Sequence, residues 1–271
     1  MSQTAGLVKS GKVTLNDKEF VLGHVFAIEE ADFMDASATQ LVLVLSDNPI
    51  PESQMNWRDW MSWVGDQVEV GSLRALQLTV NAQSLTAENV LLQLEKPGSS
   101  VPAEMLRQMA GAQIGLKRLG DGRLEGRLLS SKPFNVGVRA PATFTADLAF
   151  VTPVKTLPPV SKTLSAAEMP ASPPWKTYQA FLAAAKAADP KKMRAFVHSA
   201  SLAKFDRYVR IDPEYLKDFQ ASARRAAQLK PLSMVMRGDL VWVQWQDPKA
   251  PGFPSLTHVL SLEQGTWRCI H

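Results

Sequence analysis

The segment 152–174, TPVKTLPPVSKTLSAAEMPASPP, carries six prolines in 23 residues and few large apolar side chains. Proline fixes φ and has no amide donor, so such a run suits neither a helix interior nor a central strand. It predicts a semi-extended linker at 152–173, with one domain over 1–151 and a second over 174–271. Each half is long enough to bury a core of its own.

The first half alternates apolar and polar residues between turn pairs. VKSGKVTLNDKEFVLGHVFAI turns at Asn16-Asp17, and AQIGLKRLGDGRLEGRLLS turns at Asp121-Gly122. Both pairs tolerate the left-handed backbone that tight hairpins need. TQLVLVLSD (39–47), SLRALQLTVNAQ (72–83), ENVLLQLE (88–95) and ATFTADLAFV (142–151) read as further strands. A helix is expected from Ser53 through Trp63, ending at Gly65, and a shorter one over 102–109. The first half is thus expected to be a mainly-β domain of about six to eight strands with one or two short helices.

The second half opens on helices. PWKTYQAFLAAAKAAD (174–189) places Trp175, Tyr178, Phe181, Leu182 and Ala185 at helical spacing. DPKKMRAFVHSAS (189–201) and DPEYLKDFQASARRAAQL (212–229) each start on Asp followed by Pro. LSMVMRGDLVWVQWQD then turns at Gly238-Asp239, and SLTHVLSLEQGTWRCIH at Gln264-Gly265. Helices followed by a four-stranded antiparallel meander make an α+β domain with its helices on one sheet face.

This order, together with YQAFLAAAKAADPKKM, GDLVWVQW and LEQGTWRCI, resembles the NTF2-like (cystatin-like cone) superfamily over roughly residues 174–271. That superfamily holds enzymes, binding modules and assembly domains, so the resemblance implies a fold and not an activity. Its enzymatic members place a His, Asp or Tyr inside the cone. On that basis Tyr178 and His258, with Trp267, are the candidate lining of a ligand pocket. The first half carries no family motif.

Little else reads as chemistry. His24, His198, His258 and His271 stand at no metal-ligand spacing, and Cys269 is the lone cysteine. No metal site and no cofactor are expected. Cys269 and His271 lie two apart on one strand face, but a chain-terminal pair lacks a surrounding pocket. The glycines of RLGDGRLEG belong to a hairpin and not to a strand–loop–helix phosphate cradle. Glu29, Glu30, Asp32 and Asp35 read as an acidic loop after a strand, with a cation site as the alternative.

The tryptophans remain. Trp57, Trp60 and Trp63 in MNWRDWMSWVGDQ sweep a helix face about 120° wide. That is the width of a core-facing stripe, and the alternative is a partner-binding patch. Trp242 and Trp245 differ by an odd number, so on a strand they face opposite sides, one toward the core and the other toward a concave side or a partner. Trp57, Trp60, Trp63, Trp242 and Trp245 are the candidate partner contacts.

The formal net charge of +4 is uneven: residues 1–151 hold 13 Lys and Arg against 17 Asp and Glu, and residues 152–271 hold 17 against 9. The cations are scattered, without a nucleic-acid-binding motif, so no nucleic acid is expected. No apolar run approaches the roughly 18–20 residues of a membrane span, so no membrane insertion is expected. The expected partner is another protein, acidic and contacting the basic second half. MSQTAGLVKSGKV lacks a basic n-region and an apolar h-region. The location is therefore cytoplasmic or, if a leader has been removed, periplasmic, the reading favoured here. The expected function is non-enzymatic protein binding, as an inhibitor, immunity or envelope accessory factor of bacteria. The alternatives are a small-ligand-binding or weakly catalytic cone, and a structural component of a secretion or envelope assembly.

Overall fold

Alternation of apolar and polar residues builds the first half into sheet. In the computed structural model, which describes residues 6–55, 60–94, 99–135, 143–250 and 254–270, the strands are β1 (Gly6–Leu15), β2 (Lys18–Val21), β3 (His24–Ala31), β4 (Thr39–Ser46), β5 (Ala75–Asn81), β6 (Ala87–Gln93), β7 (Ser99–Pro102), β8 (Gln113–Arg118), β9 (Arg123–Asn135) and β10 (Thr143–Lys155). They form one sheet in the order β7-β6-β5-β4-β3-β1-β10-β9-β8, with β2 on β1. Ten strands stand where about six to eight were expected. The chain divides into two units: Met1–Glu30 with Thr39–Leu157, and Ala31–Ala38 with Pro158–His271.

In the first unit, inward residues from strands far apart in the order share one core: Val90 of β6, Leu43 of β4, Leu128 of β9 and Phe150 of β10. The sheet therefore curls on itself. Helix α2 (Ala103–Ala110) sends Ala103 and Leu106 into that core and touches β6, β7 and β9. Helix α1 (Trp60–Glu69) packs on the opposite face, where Trp60 and Val64 meet Phe26 and Ile28 of β3 and Val42 and Val44 of β4. Strand β4 is buried on both sides, which is why it reads as a continuous apolar run. The helix expected over 53–63 differs from the structure. A single 3₁₀ turn covers Glu52–Gln54, and α1 runs past Gly65 to Glu69. Glycine costs a helix about 1 kcal/mol. Trp60, Val64 and Val68 at four-residue spacing hold α1 to the sheet and outweigh it.

The stretch expected to be a linker is structured. Strand β10 continues to Lys155, β11 (Lys162–Ser165) pairs with β12, and a 3₁₀ turn at Met169–Ala171 buries Met169. Five of the six prolines fall outside the strands: Pro158 and Pro159 between strands, Pro170 in the 3₁₀ turn, and Pro173 and Pro174 in the first turn of α3; Pro153 lies within β10, opposite Arg123.

The second unit packs α3 (Pro173–Lys186), α4 (Pro190–Arg194), α5 (Ser199–Ile211) and α6 (Tyr215–Ala226) on one face of the antiparallel sheet β11-β12-β13-β14-β15. The last four strands are β12 (Lys230–Arg237), β13 (Leu240–Gln246), β14 (Pro254–Glu263) and β15 (Thr266–Cys269). The sheet has five strands where four were expected, because β11 comes from the proline-rich stretch. Helix α5 was not anticipated. The fold is mixed α and β and strand-rich, with helices on one face of the second sheet. No helix among the described residues is long and apolar enough to cross a membrane.

Segment Ala31–Ala38 belongs to the second unit through a buried cation. Arg237 on β12 is 4% exposed, and its guanidinium donates to the carbonyls of Ala36 (3.3 Å), Ser37 (2.7 Å), Ala38 (3.1 Å) and Pro158 (3.1 Å). Gln244 donates to the Phe33 carbonyl at 3.4 Å. Replacing Arg237 with Met leaves these carbonyls without their donor. We expect a loss of about 2–4 kcal/mol in urea melts and faster amide exchange across 31–38. Unchanged exchange there would show that Arg237 does not hold the segment.

Candidate functional site

Helix α3 and strand β14 bring Tyr178 and His258 together. Tyr178 lies on the apolar stripe of α3 with Phe181 and Ala185. His258 faces the helices from β14, as Leu256 and Leu260 do. The Tyr178 hydroxyl and His258 Nδ1 are hydrogen bonded, and the ring centroids stand 5.1 Å apart. Trp175 and Trp245 complete the cluster, with centroids 5.3 Å from each other and 6.2 and 6.0 Å from Tyr178. Trp267 is partly buried against the same core.

Electrostatics keep this cluster neutral. Burial pushes the Tyr178 hydroxyl far above the usual tyrosine range, with the nearby Cys269 adding to the effect. His258 retains some exposed surface, yet desolvation of its ring lowers its pKa to about 4. Both groups are therefore neutral, and one hydrogen bond joins the hydroxyl to Nδ1. Burial also raises the Cys269 thiol well above its ordinary pKa, so it is not a thiolate near neutral pH. The Trp245 indole N–H is buried without a hydrogen-bond partner among the described residues. It lies near the Tyr178 oxygen and favours its ionised form, but outside hydrogen-bond geometry. The arrangement is a packed aromatic centre with one neutral hydrogen bond and one unsatisfied donor.

The proposed tryptophan contacts lie mostly inside. Trp60 is 1% exposed, edge-to-face on Phe26 with centroids 6.1 Å apart, and its indole N–H donates to Glu30. Trp63 is partly buried in the same cluster, and Trp57 lies outside the described residues. Trp245 belongs to the helix-side core, whereas Trp242 lies on the other sheet face, in register with Val235 and Val259. Both are buried. Trp60, Trp242 and Trp245 thus spend their rings on packing within the fold.

The acidic residues after His24 are also engaged. Arg118 pairs with Glu29 at 2.9 Å. Burial raises Glu30 to a pKa of about 6, although hydrogen bonds from Trp60 and Gln40 pull the other way. Asp32 accepts from the amides of Met34 and Asp35, and Asp35 accepts from the amide and hydroxyl of Ser37, so both shape a turn. His198 caps α5, accepting from the Ala200 amide at 3.1 Å. His271 lies outside the described residues. No group of three potential metal ligands occurs among the described residues.

The sequence reading missed the corner between α5 and α6. Tyr208 and Tyr215 stack there, 5.3 Å apart and 29° from parallel. Lys204 and Arg207 stand about 6 Å from the Tyr208 ring centre, within cation–π range. Tyr215 is anchored inward on Phe205 and Phe219, and burial raises its pKa to about 12. Ile211 is 54% exposed beside this pair of helices' junction. Arg207 and Arg210 have no ion-pair partner among the described residues, since Asp206 turns to Arg194 at 2.8 Å. Over residues 173–228 the helices carry eleven Lys and Arg against five Asp and Glu. The signal was the spacing of Lys204, Arg207, Tyr208 and Ile211 on one side of a helix. It went unread because the aromatic partner Tyr215 lies across a helix break.

Two outcomes follow from this geometry. Tyr178→Phe leaves His258 Nδ1 without its hydrogen-bond partner and should cost about 1–3 kcal/mol in thermal melts. Glu30 is a carboxyl whose pKa rises on folding, so it contributes stability below the unfolded value of 4.5 that is lost as pH climbs through about 6. Glu30→Gln should therefore be more stable than the parent at pH 7.5, by about 1–2 kcal/mol after allowance for partial exposure, and should lose that advantage near pH 4.5. Urea melts at both pH values check this. No family model, curated protein or solved structure matches the chain.

Proposed function

We propose that this chain is a non-enzymatic protein-binding protein that engages an acidic partner through the α5–α6 corner of its second unit. The carrying observation is the stack of Tyr208 on Tyr215 beside exposed Ile211 and beside Arg207 and Arg210, which have no ion-pair partner among the described residues. Tyr and Arg around an apolar contact are the residues that dominate binding energy at protein interfaces. The excess of cations over this helical layer would steer an acidic surface toward it. An inhibitor, immunity or envelope accessory role in bacteria accords with such a surface. We also propose that the second unit is NTF2-like: its helices precede four consecutive antiparallel strands and cover one sheet face.

A small-ligand role for the second unit has one observation in its favour, the buried and unsatisfied N–H of Trp245 beside Tyr178 and His258. Against it, Tyr178, Phe181, Met193, Met234 and Val243 fill the space between helices and sheet.

Affinity capture from the organism's own lysate, with the full chain and with the Arg207→Glu/Arg210→Glu variant, tests the binding role. A single stoichiometric acidic protein is expected on the parent chain, reduced about tenfold or more on the variant and weakened by salt. Equal capture by both chains would overturn the assignment to this corner.

A further inference from the structure

Strand β8 is an edge. It pairs with β9 and with no other described strand, so one row of its backbone groups is open to a further strand. Its inward residues Ile114 and Leu116 pack against the first unit's core but remain partly exposed. Its outward residues are Gly115 and Lys117.

The outward face next to this edge is unusually low. Gly115, Arg127 and Ala149 stand side by side on β8, β9 and β10. Arg127 thus rises between a residue with no side chain and one with a single carbon. A Cβ added to Gly115 would meet nothing within 4 Å. The hollow along this row has a volume of about 420 Å³ and includes Lys9, Lys117, Glu125 and Arg127 in its walls. Glu125 is engaged by Lys9 at 3.4 Å. Lys117 and Arg127 have no ion-pair partner among the described residues.

We propose that β8 accepts an extended segment of another protein as an added strand, with alternating apolar and acidic residues. Side chains on a strand alternate between its faces, so one set would cover Ile114 and Leu116 while the other lies outward. An outward carboxylate opposite Lys117 meets it directly as a cross-strand pair. A carboxylate opposite Gly115 has an open lane to Arg127, two strand spacings or roughly 9.6 Å away, a span that the two long side chains share. Main-chain hydrogen bonds supply the affinity of such an addition, and the alternate side chains supply its specificity. Charge decides the occupant. A second copy of β8 (QIGLKR) brings Lys117 and Arg118 and no carboxylate, whereas an acidic segment is complementary to Lys117 and Arg127.

The test uses the full chain and a fluorescein-labelled peptide of about ten residues alternating Glu and Val. Saturable binding by anisotropy is expected, together with slower amide exchange at 113–118. Three changes should each weaken binding about tenfold or more: Arg127→Glu, Gly115→Ile, and a central proline in the peptide. Gly115→Ile enters open space with a residue that favours strands, so its melting point should hold while the lane to Arg127 is blocked. Absence of saturable binding would overturn the proposal. So would a proline-interrupted peptide, or a Gly115→Ile chain, that binds as well as the parent pair. A Lys–Val peptide binding as tightly as the Glu–Val one would overturn the charge assignment.

Discussion

A ten-stranded sheet, antiparallel but for one short β3–β10 pairing, has two faces and two edges to satisfy, and the first unit is organised by how it does so. Its alternating residues put an apolar set on one face of nearly every strand. Strand twist turns that face inward, and residues from β6 and β9, near opposite ends of the order, meet in one core. Helix α2 covers part of this core where β6, β7 and β9 come within its reach. On the other face only β3, β4 and β5 carry enough apolar surface to hold a helix, and α1 lies there. The rest of that face carries no helix among the described residues, and β8 stays an edge.

The second unit solves a different problem. Its sheet has helices on one side, so the other side needs its own cover. Part of that cover is Ala31–Ala38, a connection that leaves β3 and returns to β4 of the first unit. A buried guanidinium is costly unless its donors are used, and Arg237 uses its donors on four carbonyls. The same bonds satisfy the Ala36 and Ser37 carbonyls and add to the Asp32 amide that already donates to the Ala38 carbonyl. The helix side relies on aromatic packing, with Tyr178 and His258 joined as neutral groups because neither can afford charge in that core.

Function follows from what this packing leaves over. Tryptophans are the most conspicuous side chains in the sequence, and the described ones are spent on cores. Two cationic features remain at the surface: the α5–α6 corner in the second unit and Lys117 with Arg127 beside Gly115 in the first. Both set Arg without an ion-pair partner among the described residues beside apolar surface, and these are the features on which the proposed acidic protein partners rest.

The sequence by itself determined the local structure that nearest neighbours control. Asn16-Asp17 and Gln264-Gly265 turn with both residues in left-handed backbone, and Gly122 supplies it in the turn after Asp121. The α3 stripe and the continuous apolar run of β4 were legible for the same reason, since a repeat of 3.6 or 2 is a property of the chain alone. Tertiary structure decided everything set by distant partners. It drew Lys162–Ser165 out of a proline-rich stretch into a strand, because β12 had an edge to pair. It placed Ala31–Ala38 with residues near 237, and it buried Glu30 under Trp60. It also joined Tyr178 to His258 across 80 residues of chain. No local pattern encodes such pairings, because the free energy that fixes them comes from burial shared between segments that meet only in the folded state.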